Sequence, residues 1–110
     1  MNILKPATFE EVCDICRAIA REQHTMIEIH DYPEYNWASI VFMTDKFGGC
    51  YLDLHWEHPT QKLILWRHCK KAREVTSVSQ LKILVSYYRR KEEKVRFADN
   101  SLSDFINSQY

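Results

Sequence analysis

Apolar and polar residues alternate with a period of two through four runs between Met26 and Cys69. A period of two puts successive side chains on opposite faces of a strand. The runs are Met26–His30, Trp37–Met43, Cys50–Trp56 and Lys62–Cys69. Each gap between them carries turn chemistry. Asp31–Asn36 contains Pro33, and Asp45–Gly49 ends in two glycines able to take positive φ. His58–Gln61 places Pro59 at the second position of a type I turn, which asks for a loop of about four residues.

Cys50–Trp56 alternates most clearly. Cys50, Leu52, Leu54 and Trp56 lie on one side, with Tyr51, Asp53 and His55 on the other. A one-residue slip would move every side chain to the wrong face, so apolar matching selects a register for each hairpin. Glu57 opposite Lys62 brings Trp56 to Leu63, Leu54 to Leu65 and Cys50 to Cys69. Phe42 opposite Cys50 brings Ile40 to Leu52 and Ala38 to Leu54. Ile29 opposite Ala38 brings Ile27 to Ile40. These choices collect the apolar residues of all four strands on one face.

The flanks read as helices. Thr8-x-x-Glu11 is a capping box, and Phe9, Val12, Cys13, Cys16, Ile19 and Ala20 recur at helical spacing as far as about Gln23. Ser77-x-x-Gln80 is a second capping box, followed by the stripe Leu81, Leu84, Val85 and Tyr88. Lys70–Arg73 is expected to leave the sheet, and Ser101-x-x-Asp104 to cap a short final helix. The fold class is therefore α+β. A four-stranded antiparallel meander has helices packed on one face, in the order α-β-β-β-β-α-α, as a single domain over residues 1–110.

The same register sets the other face. Its rows read His30–Trp37–His55–Ile64, Glu28–Ser39–Asp53–Trp66 and Met26–Val41–Tyr51–His68. A face that merely meets solvent would be richer in Lys, Glu and Thr. We therefore take Glu28, His30, Trp37, Ser39, Tyr51, Asp53, His55, Trp66 and His68 as a candidate partner-binding surface. The alternative is that the C-terminal segment crosses over and covers this face as a second small core.

Candidate chemistry changes this picture little. His30 and His55 stand two strands apart, about 10 Å at the usual strand spacing. Zinc needs its ligands within about 2.0–2.3 Å of one ion, so no metal site is expected. Asp53 and His55 are the one close acid–base pair, and they lack a visible cleft. Cys13 and Cys16 form a Cys-x-x-Cys that falls on the apolar stripe of the first helix, where two small core residues are expected. Cys50 and Cys69 are expected as free core thiols. No phosphate loop, nucleophile elbow or zincin helix is present, so neither enzymatic activity nor a cofactor is expected.

Composition is that of an ordinary globular domain, with 45% apolar and 27% charged residues and zero net charge. The charge is unevenly spread. Residues 1–60 hold ten acids against four bases, a net of −6, and residues 61–110 carry +6. Such asymmetry either interleaves in the fold or gives a dipolar surface that orients a charged partner. Met1–Thr8 has no apolar signal core and no apolar run is long enough to span a membrane, so a cytoplasmic location is expected.

These readings point to a small interaction module of the inhibitor or immunity type, neutralising a partner protein such as a basic nuclease toxin. Self-association through the sheet face is a variant of this reading. The likeness to immunity proteins is one of size and not of residues. The alternative is nucleic-acid binding through the basic half, above all Lys70, Lys71, Arg73, Arg89 and Arg90.

Overall fold

The computed structural model describes residues 8–44, 50–65 and 73–108, with side chains as far as residue 94. It begins with a helix, α1, over Phe9–Glu22. Thr8 caps it: its Oγ1 accepts the Glu11 amide at 3.1 Å and donates to the Glu11 carboxylate at 3.2 Å. Five strands follow: β1 (Met26–Tyr32), β2 (Trp37–Met43), β3 (Cys50–Glu57), β4 (Lys62–Leu65) and β5 (Arg73–Val75). A long helix, α2 (Val78–Ser108), closes the chain. The strands form one antiparallel sheet in the order β1-β2-β3-β4-β5.

Both helices pack on the same face. Val12, Cys16, Ile19 and Ala20 of α1 and Leu81 and Val85 of α2 join Ala38, Ile40, Phe42, Leu52, Leu54, Trp56, Leu63, Leu65 and Val75 in one core. The α+β class with helices on one face of a meander therefore holds. The two helices are also tied to each other. Arg89 Nη1 donates to the Gln23 carbonyl at 2.5 Å, Gln23 Nε2 donates to the Lys82 carbonyl at 3.2 Å, and Lys82 pairs with Glu22 at 3.4 Å.

Three features differ from the expectation. First, the sheet gains a fifth strand, because Arg73 does not leave it but starts β5 against Leu65. Second, the two C-terminal helices are one. No Gly or Pro occurs after Pro59, so nothing stops the helix before Ser101, and the Ser101–Asp104 cap signal lies inside it. Third, two hairpins slide by two residues. Ile29 pairs with Ile40 and Ile27 with Phe42, while Ala38 pairs with Trp56, Ile40 with Leu54 and Phe42 with Leu52.

Each slide has a local cause. A 3-10 turn over Pro33–Tyr35, followed by Asn36 at φ 65°, closes the first hairpin in four residues, so β1 extends through Tyr32. In the second, the register shifts between Phe42 and Met43, so Met43 meets Cys50 and Tyr51 becomes the extra residue of a bulge. A two-residue slide preserves the faces, and the apolar residues still meet. The third hairpin matches expectation: Glu57 opposes Lys62, Trp56 opposes Leu63 and Leu54 opposes Leu65. The Asp45–Gly49 turn and the Cys50–Cys69 pairing involve positions outside the described residues.

Trp56 is 1% exposed. Trp56→Ala should lower unfolding free energy by about 3–5 kcal/mol in urea denaturation. Ile83→Ala, on the open side of α2 where Ile83 is 68% exposed, should change it by less than about 0.5 kcal/mol.

Candidate functional site

The outer face of the sheet is built by the residues that alternate with the core. They are Met26, Glu28, His30 and Tyr32 on β1, then Trp37, Ser39, Val41 and Met43 on β2. Cys50, which the bulge sets opposite Met43 instead of in the expected core position, follows on β3 with Asp53, His55 and Glu57, then Lys62 and Ile64 on β4, and Glu74 on β5. Every one of them is half-buried or exposed, so no described residue seals this face. The helix after the sheet stays on the opposite layer, where Leu81 and Val85 enter the core. The described part of the C-terminal segment therefore does not cross over the outer face.

An aromatic row crosses three strands. Tyr32 and Trp37 are cross-strand partners with ring centroids 4.8 Å apart. The His55 imidazole lies flat on Trp37, with centroids 4.5 Å apart and ring planes 11° apart. Stacked rings of this kind stiffen one another and present a flat apolar surface. His30 sits beside the row with its Nε2 3.1 Å from Glu28 Oε2. Charge is one-sided here: Glu28, Asp53, Glu57 and Glu74 face outward with Lys62 as the one ammonium among the described residues.

The sliding hairpins re-sort the expected rows. His30 and His55 share a row through Ser39, which also holds Ile64 and Glu74. Glu28, Val41 and Asp53 form the next. Trp37 moves one row along, between Tyr32 and Glu57. Seven of the nine expected surface residues are described, and six of these, Glu28, His30, Trp37, Ser39, Asp53 and His55, lie on the outer face.

Tyr51 does not. The bulge turns it into the core cluster, where it is 3% exposed. Its hydroxyl lies 2.5 Å from Thr25 Oγ1. Thr25 already donates its single proton to the Met43 carbonyl at 2.7 Å, so Tyr51 is the donor. Trp66 and His68 lie outside the described residues.

Tyr32, Glu57 and Glu74 belong to the surface although sequence reasoning left them out. Tyr32 was hidden by the Pro33 turn signal. Glu57 was noticed for its Lys62 partner alone, and Glu74 lies on a strand of three residues, too short to show a period.

Elsewhere the chemistry is quiet. Among the described residues no group of three His, Cys, Asp or Glu side chains converges as a metal site. Asp53 and His55 do share the outer face, and one side of the imidazole is covered by Trp37. Cys13 and Cys16 are buried free thiols on α1. Burial raises the Cys13 thiol above its ordinary value and pushes Cys16 up to about 12. Reactive thiol pairs are held low instead, so this environment suits packing rather than exchange.

The helical layer holds a local basic patch on α2. An open cleft with a volume of about 780 Å3 lies between the end of α1 and α2, edged by Lys82, Arg90, Lys91 and Lys94 with Glu22, Ile83 and Tyr87. Of the basic residues picked out from sequence, Arg90 lies in this cleft and Arg73 is exposed on β5. Arg89 instead turns inward to Gln23. Lys70 and Lys71 lie outside the described residues. No helix among the described residues is long and apolar enough to cross a membrane.

No family model, curated protein or solved structure matches this chain.

A thiol raised by burial stabilises the fold below its unfolded value near 9, and that stabilisation is lost as pH climbs through the folded value of about 12. Urea midpoints should therefore fall from about pH 8 to about pH 10.5, and Cys16→Ala should flatten that fall. An identical slope in the variant would contradict the assignment.

Proposed function

We propose that this chain is a small cytoplasmic protein-interaction module of the inhibitor or immunity type, which binds and neutralises a basic partner protein through the outer face of its sheet. One observation carries the reading: an uncovered Tyr32–Trp37–His55 row flanked by four carboxylates and one ammonium among the described residues. Aromatic rings supply contact area at low cost in side-chain entropy, and they are enriched in interface centres. Carboxylates around them steer and select a cationic partner. A basic nuclease toxin has that character.

Affinity capture with immobilised protein tests the surface. The wild type should recover a basic protein. Trp37→Ala and Asp53→Lys should each cut its recovery by about tenfold or more, as loss of an interface anchor does. Equal recovery of the same partner by all three proteins would contradict the surface.

A second reading has its own observation. The cleft on α2 combines Arg90, Lys91 and Lys94 with an exposed Tyr87, beside the Lys82–Glu22 pair, a pattern that suits phosphate contact and base stacking. Under this reading, labelled single- and double-stranded oligonucleotides titrated at two salt concentrations bind more weakly at the higher salt. Arg90→Glu/Lys94→Glu would abolish that binding. Absence of salt-dependent binding at micromolar protein would contradict it.

A further inference from the structure

The two edges of the sheet are unequal. β5 offers three residues, whereas β1 offers seven, Met26–Tyr32, each paired with β2 on one side. Among the described residues no element pairs with the other side of β1. An edge of this kind presents a row of backbone donors and acceptors to any matching strand. Proteins usually blunt it with charged side chains, Lys above all, with Pro or with a bulge, and of these β1 carries the carboxylates Glu28 and Asp31. β1 contains no Lys or Pro, and its register against β2 runs unbroken. The core layer also stops abruptly there. Phe42 and Ile40 are 0% exposed, yet their β1 partners Ile27 and Ile29 are only half-buried.

The sequence of this edge is complementary to itself. Lay a second copy of β1 antiparallel along its full length, and Ile29 meets Ile29 on the two-fold axis. Glu28 then faces the second copy's His30 and His30 faces its Glu28, while Met26 faces Tyr32. Ile27 meets Asp31, whose carboxylate is already held by His58 at 2.7 Å.

Other registers fail. A one-residue slip opposes core-facing to outward-facing side chains. A two-residue slip sets Glu28 against Glu28, or His30 against His30, on the axis. The register of greatest overlap is thus also the one that pairs carboxylate with imidazole.

We propose that the chain forms a two-fold dimer by antiparallel pairing of β1 with β1 of a second copy, making one continuous ten-stranded sheet. This inference does not rest on the interaction function above. The pairing covers the half-exposed Ile27 and Ile29, and it sets the outer faces of both copies side by side.

Sedimentation velocity over a concentration series tests it. The wild type should dimerise in the micromolar range. His30→Glu, which opposes two carboxylates at each symmetric pair, should weaken dimerisation by about tenfold. The double swap E28K/H30E should restore it to within a few-fold, since each pair then sets an ammonium against a carboxylate. Ile29→Cys should cross-link between copies under mild oxidant, as paired residues on the axis stand about 4.5–5.5 Å apart, within disulfide reach. Unchanged circular dichroism would show that these exposed substitutions leave the fold intact. A wild type that stays monomeric at about 100 µM overturns the proposal, being above any affinity a specific dimer would need. So does a dimer indifferent to His30→Glu, which would place the contact on another surface.

Discussion

Burial of Trp56 is the interaction on which most of the structure depends. Its ring lies opposite Ala38 on β2 and Leu63 on β4, with the Phe9 ring of α1 at 6.1 Å. A tryptophan opposite an alanine fills space that two large side chains would contest. Because strands repeat every two residues, seating Trp56 inward also seats Leu54 and Leu52. It thereby turns Asp53, His55 and Glu57 outward. The outer face is thus a by-product of the core. No separate motif encodes it, which is why it leaves so little trace as a pattern of its own.

The same period explains what could be read from the sequence and what could not. The faces were legible, because a register slide of two residues leaves them unchanged. The rows were not, because the slide depends on the Pro33–Asn36 turn and on the bulge beside Cys50. Tyr51 was lost for that reason: an alternation count has no term for an extra residue. Both capping boxes were legible because their hydrogen bonds are local. Thr8 accepts from Glu11, and Ser77 from Gln80 at 3.1 Å. β5 was not, since three residues are too few for periodicity to register. The aromatic stack lay within reach of sequence in its members but not in its geometry, because Trp37 and His55 meet diagonally and not across a pair.

Charge gathers in two patches. Glu28, Asp53, Glu57 and Glu74 gather on the outer face, whereas Lys82, Arg90, Lys91 and Lys94 border a cleft on the helical layer. The split between the chain's two halves is kept only in part, because four acids of the first half, Glu10, Glu11, Asp14 and Glu22, lie on α1 in the same layer as the basic patch of α2. A molecule with net charge zero can still be strongly oriented by such a distribution. Arg89 is the exception that helps define the rule. It leaves the basic face to satisfy the carbonyl of Gln23 and pin α1 to α2, a structural use of a cation that composition alone would assign to binding.

The central claim is that the outer face is both open and acidic around Trp37. Collisional quenching of tryptophan fluorescence reads both properties at once. In a Trp66→Phe variant, where Trp56 is buried from ions and the accessible emission is that of Trp37, caesium ions should quench this emission more efficiently than iodide, each normalised to free tryptophan amide, because the surrounding carboxylates concentrate cations. Resistance to both ions would mean that the face is covered. More efficient quenching by iodide would mean that its charge has been assigned with the wrong sign.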